Sequence, residues 1–161
     1  MARNGLEAPV TLSVLDRLVD AEPKNSAEPL LTRSQSLRRL REAIKRDLEW
    51  LLNTRRNADI EEGVYKEVDR SVMGYGLPDI TTIGLHSVRD QTRLRRALEQ
   101  TILKFEPRIA GARVQMESIS GVTRGIRFHI QGLLLVDPAP EPITFDTVLE
   151  LPAGQYEVKG S

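Results

Sequence analysis

The sequence predicts an α+β fold, with N-terminal helices packed on a mostly antiparallel sheet formed by the C-terminal half. Two observations carry this. Apolar residues recur every three to four positions over Leu37–Leu52 and again over Leu94–Phe105, the spacing of one buried helix face. From Val114 onward they alternate with polar residues, as half-buried strands require. Pro107 stands where the first period gives way to the second.

The first element is short. Leu12, Leu15, Leu18 and Val19 keep helical spacing, and Ser13 and Asp16 are placed as a capping box, so a brief helix opens the ordered part. It is too short to stand alone. From Asp20 to Thr32 the chain is polar and holds Pro23 and Pro29, which reads as a connector. Residues 1–33 are therefore expected to form an arm, and 34–161 a single α+β domain. Leu37, Leu40, Ile44, Leu48, Leu51 and Leu52 then mark a long helix to about Asn53, with Ser34 or Ser36 as its N-cap. Its outer face is basic. Between Arg33 and Arg56 eight cations face Glu42, Asp47 and Glu49, a surface open to solvent or to a partner.

Residues 57–69 reverse the sign, and an acidic loop is expected there. Tyr75, Gly76, Leu77, Pro78 and Asp79 follow, with glycine and proline around an aromatic, which predicts a tightly turned structural loop. No glycine-lysine phosphate motif accompanies it. The second long helix runs from Ser87 or Asp90, in capping-box spacing, to Phe105. Strands follow around Val114 and Met116, then Ile126 to Ile130, then Ile143 to Leu151, separated by Gly121 and by the proline-rich 138–142 stretch. The short Gln155–Val158 segment either blunts a sheet edge or leaves that edge open to a partner's strand.

The junction between the two halves holds the most informative residues. Proline biases the residue before it away from the α region, so the helix should end by Phe105 and leave Glu106 extended. Residues two apart on extended backbone point the same way, so Glu106 and Arg108 are expected to project together across the fixed φ of Pro107. Such an acid-base pair suits docking to a partner. The competing reading is that the two charges only fix the turn.

Composition narrows the function classes. In 161 residues, 23 basic and 23 acidic side chains cancel, which removes the global field that nucleic acids and anionic membranes use. No cysteine is present, so there is no disulfide or thiolate chemistry, and a reducing, cytoplasmic setting is expected. No apolar run approaches the length of a bilayer span, and Met1–Val10 lacks the pattern of a secretory signal. Arginine makes up 18 of the 23 cations, the one favoured in planar ion pairs between surfaces. His86 and His129 stand apart without a metal or nucleophile motif. A lysozyme-like hydrolase needs a second carboxyl group across a sugar cleft, and Arg108 beside Glu106 opposes a general-acid role. A nucleic-acid module lacks interleaved aromatics. Protein interaction is the leading class.

Four segments in order carry a family resemblance: Leu15-Asp16-Arg17-Leu18, Arg46 to Arg55, Tyr75-Gly76-Leu77-Pro78-Asp79, and Phe105-Glu106-Pro107-Arg108. Together they resemble the TssE family of type VI secretion baseplates, related to the phage baseplate wedge protein once labelled lysozyme-like. The chain departs from the family pattern in Met73-Gly74 before the tyrosine and in Ile109 after the triplet. The resemblance implies a non-enzymatic, cytoplasmic baseplate component without a cofactor. It implies contact with the wedge proteins TssF and TssG, with TssK nearby, and with the sheath proteins TssB and TssC, whose strands an edge of the sheet would accept. It assigns wedge docking to Glu106, Pro107 and Arg108.

Overall fold

A computed structural model describes residues 8–19, 31–57, 64–79, 87–119, 125–150 and 155–160. Helices α1 (Val14–Leu18), α2 (Arg33–Asn53), α3 (Lys66–Arg70) and α4 (Val88–Phe105) precede strands β1 (Ile109–Ile119), β2 (Gly125–Leu134), β3 (Glu141–Glu150) and β4 (Gln155–Gly160). The α+β reading holds. The expected turn at Gly121 and the last strand residue Leu151 lie outside the described residues. The chain divides into two compact units, 1–44 and 45–161, with the boundary inside α2.

Within the first unit, Ser13 caps α1 as its spacing predicts. Its hydroxyl accepts the Asp16 N–H at 3.1 Å and donates to the Asp16 carboxylate. The start of α2 differs from expectation, because the cap is Thr32 rather than Ser34 or Ser36. Thr32 N–H donates to Gln35 Oε1 at 2.9 Å, and Gln35 N–H donates to Thr32 Oγ1 at 3.3 Å, a reciprocal capping box. Ser36 instead lies inside the helix, 1% exposed, and uses its hydroxyl to accept the Val10 N–H and to donate to Arg33 O. That contact fixes the strand of chain preceding α1.

The second unit holds a four-stranded antiparallel meander in the order β1-β2-β3-β4. Alternation places Val114, Ile130 and Phe145 across from one another on one face, and Phe128, Thr147 and Val158 likewise. All six are buried, with Leu48, Leu51 and Leu52 of α2 and Leu94, Leu98 and Ile102 of α4. Helix α4 packs on β1. Gly111, at φ +61°, gives the register shift between Ala110 and Arg113. Part of the expected acidic loop is helical, since α3 occupies Lys66–Arg70. Ser87 stands at the N-cap of α4, but its side chain makes no capping bond, so the expected capping box is absent.

Both sheet edges are touched by helix side chains. On β1, the Val114 N–H donates to Glu99 Oε1 of α4 at 3.0 Å. On β4, the Tyr156 N–H donates to Asn53 Oδ1 at 2.7 Å, and Asn53 Nδ2 donates to Tyr156 O at 2.9 Å. Groups spent on a side chain are unavailable to an incoming strand. Strand β4 pairs with Phe145–Glu150 alone, so Glu141–Thr144 of β3 extend past it.

Candidate functional site at the helix-to-sheet turn

Helix α4 stops where proline dictates. The Glu106 N–H still donates to Ile102 O at 2.8 Å, and the Ile109 N–H donates back to Glu106 O at 3.1 Å, closing a turn into β1. The backbone then continues the sheet one step further, because the Leu135 N–H donates to Arg108 O at 2.8 Å. Glu106 and Arg108 point together, as the two-residue spacing predicts. Arg108 Nε donates to Glu106 Oε1 at 2.6 Å, its Nη2 to Oε2 at 2.5 Å, and its backbone N–H to Oε1 at 3.2 Å.

Exposure separates the three residues. Glu106 is buried, 3% exposed, while Pro107 is exposed and Arg108 half-buried between them. Arg108 also has a second carboxylate that the sequence did not reveal. Its Nη2 donates to Asp47 Oδ2 of α2 at 2.5 Å. Arg46 donates to the other Asp47 oxygen at 3.0 and 2.8 Å, and its guanidinium lies over the Trp50 ring at 5.1 Å. Burial works against the Arg108 cation, but the hydrogen bonds to Glu106 and Asp47 outweigh it and raise its pKa above the ordinary value. The guanidinium is locked as a charge.

The Tyr75–Asp79 loop buttresses the same place. Leu77 N–H donates to Thr54 O, and Arg56 N–H donates to Leu77 O, both at 2.8 Å, which joins the loop to the end of α2. Gly76 sits at φ +102°, and a Cβ there would lie 2.4 Å from Thr54 O, so only glycine fits. Tyr75 meets Phe105 edge-on at 5.3 Å between centroids. Desolvation, with the nearby Asp47 and Glu106 charges, raises the Tyr75 pKa. Three segments separated by tens of residues thus converge on one ion-paired turn.

Sequence reasoning missed Asp47, Trp50 and Asn53. All three lie in the Arg46–Arg55 segment that carries the family resemblance, and Asp47 is also one of three acids on a basic helix, but the pairing of Asp47 depends on how α2 lies against the turn. Trp50, 55% exposed on α2, is the single tryptophan of the chain. At the turn both Glu106 oxygens are engaged by Arg108. His129 pairs with Asp146 and lies 3.6 Å from Glu117 across the strands, and His86 is outside the described residues. Among the described residues no group of acids and histidines could hold a metal ion, and no helix is long and apolar enough to cross a membrane.

A family model described as baseplate wedge protein gp25 matches residues 38–139, most of the chain and all of the turn. The chain belongs to the gp25 baseplate wedge family. The matched span of this wedge protein takes in Asp47, the Tyr75–Asp79 loop and the Glu106-Pro107-Arg108 triplet, and it stops before β3. A solved structure titled "The baseplate complex from the type VI secretion system" is 25% identical, covers 66% of this chain and 91% of its own, and has a TM-score of 0.45. No curated protein matches the chain.

Proposed function

We propose that this wedge protein is a non-enzymatic structural subunit of a contractile injection baseplate of the type VI secretion kind. In this reading it works in the cytoplasm of a Gram-negative bacterium, on a baseplate anchored to the inner membrane. It docks on the wedge proteins TssF and TssG, with TssK nearby, and connects to or nucleates the sheath of TssB and TssC. Residues 34–161 act as the wedge domain and 1–33 as an arm. The observation that carries the reading is the convergence of the family-matched segments on one charge-locked turn. Glu106 holds Arg108, the Tyr75–Asp79 loop holds the end of α2, and the exposed Pro107 and the outer edge of Arg108 are left to meet a partner.

A rigid turn suits docking because little side-chain entropy remains to be lost on binding. The test is capture of purified TssF–TssG complex by wild type, Pro107→Ser and Arg108→Gln, each checked by circular dichroism and thermal melting. Pro107→Ser should fold as wild type and bind the wedge complex less tightly, by about 1–2 kcal/mol for an exposed contact residue. Full wedge binding by both folded variants would move the docking surface away from the turn. Failure of wild type to bind at all would withdraw the baseplate reading.

A further inference from the structure

Along the outer side of α4 runs an open groove of about 1080 Å³. Arg89, Arg93 and Arg96 line it from α4, and Arg56 from the segment after α2; among the described lining residues Asp90 is the one carboxylate. The three helix arginines are four and three positions apart, so they form one stripe, on a different side from the buried Leu94 and Leu98. No carboxylate among the described residues pairs with Arg89, Arg93 or Arg96. Pro78 and Ala97 line the same groove, and a smaller pocket sharing Arg56, Pro78, Ala97 and Gln100 continues it to Lys104 and Phe105, next to the turn. In a chain whose charges cancel, Arg89, Arg93 and Arg96 concentrate positive charge along this side of α4.

The geometry points to a binding groove for an acidic, extended segment of another protein, with carboxylates at alternate positions. A helix rises about 1.5 Å per residue, so Arg89 to Arg93 and Arg93 to Arg96 step by about 6 and 4.5 Å along the axis. Side chains on one face of an extended peptide repeat at about 6.6 Å, close to the first step. Guanidinium forks bind carboxylates in two-point fashion, which makes arginine the fitting donor. Among the described residues of this arginine-lined stretch none is aromatic, so they offer no stacking platform of the kind single-stranded nucleic acid uses. The site is separate from the triplet, and it stands or falls independently of the docking proposed there.

The test uses the full chain and a fluorescein-labelled octapeptide alternating glutamate and serine, read by anisotropy at low and physiological salt. A glutamine-serine peptide and an oligothymidylate serve as comparisons. Binding of the glutamate peptide should weaken about tenfold or more in R89Q/R93Q/R96Q, as three partly exposed ion pairs are removed. It should stay unchanged in R95Q, whose arginine lies on the same helix but does not line the groove. Glutamine is a good helix former, and circular dichroism should show both variants folded. No peptide binding, or an equal loss in R95Q, would overturn the inference. So would an oligothymidylate bound more tightly than the peptide and lost in the same triple variant. Peptide binding seen only after D59N/E61Q/E62Q would assign the groove to the chain's own acidic segment and overturn it too.

Discussion

Glu106→Gln isolates what the ion-paired turn contributes to stability. The substitution keeps the side-chain shape and one oxygen but removes the charge. Glutamine's oxygen can retain the two bonds now made to Oε1, from the Arg108 backbone and Nε, at 3.2 and 2.6 Å. Its amide nitrogen replaces Oε2 and faces Nη2, donor against donor, where a 2.5 Å bond now stands. One charge-assisted hydrogen bond is lost, worth about 1.5–3 kcal/mol. The larger penalty of about 3–5 kcal/mol for orphaning a buried charge is not reached, because Arg108 keeps Asp47. The expected loss is about 2 kcal/mol, and for a chain of this size a fall in Tm of about 4–8 °C. Asp47→Asn should cost less, about 1 kcal/mol, since its side chain is 26% exposed and screened by water. The assay is thermal and urea unfolding followed by circular dichroism at pH 7, on both single variants and the double. A Glu106→Gln change smaller than about 0.5 kcal/mol, with a purely additive double variant, would show that the pair does not restrain the turn.

Further outcomes follow from neighbouring contacts. Gly76→Ala forces a side chain to φ +102° and to 2.4 Å from Thr54 O, and should lower the urea midpoint by the equivalent of at least about 2 kcal/mol. Asn53→Ala removes both bonds to Tyr156 and should cost about 2 kcal/mol, with faster hydrogen exchange confined chiefly to β4. Burial raises the Tyr156 pKa, so above pH 10, where the unfolded phenol ionises, the folded state holds a proton the unfolded state has lost. Stability from this group is complete below about pH 10 and drains away as pH rises further, and Tyr156→Phe should flatten that alkaline loss. At pH 7 the same change should be neutral or stabilise by up to about 1 kcal/mol, because the buried hydroxyl finds no hydrogen-bond partner among the described residues.

Much of the architecture was legible because it is local. The 3.6-residue stripe of α2 and α4, the alternation of β2 and β3, and the stop imposed by Pro107 each depend on residues within one or two turns of one another. The pairing of Glu106 with Arg108 was legible for the same reason, since both lie within one turn of chain. Capping was less so. The sequence offers several hydroxyls near each helix start, and which one caps depends on the backbone angles that the chain adopts there, so Thr32 caps α2 while Ser36 is drawn inside to hold Val10.

By itself the sequence determined the order of helices and strands, the place where one gives way to the other, and the acid-base pair poised at that place. Tertiary structure decided who joins them. Asp47 reaches Arg108 across 61 residues, and Asn53 clamps Tyr156 across 103. The arginines of α4 become a groove only because Arg56 and Pro78 are brought alongside them. Periodicity and dihedral limits act over a few residues and leave a mark in the sequence. A contact between distant segments forms only when burying their apolar faces fixes how helix and sheet lie together, and no short-range pattern records that outcome.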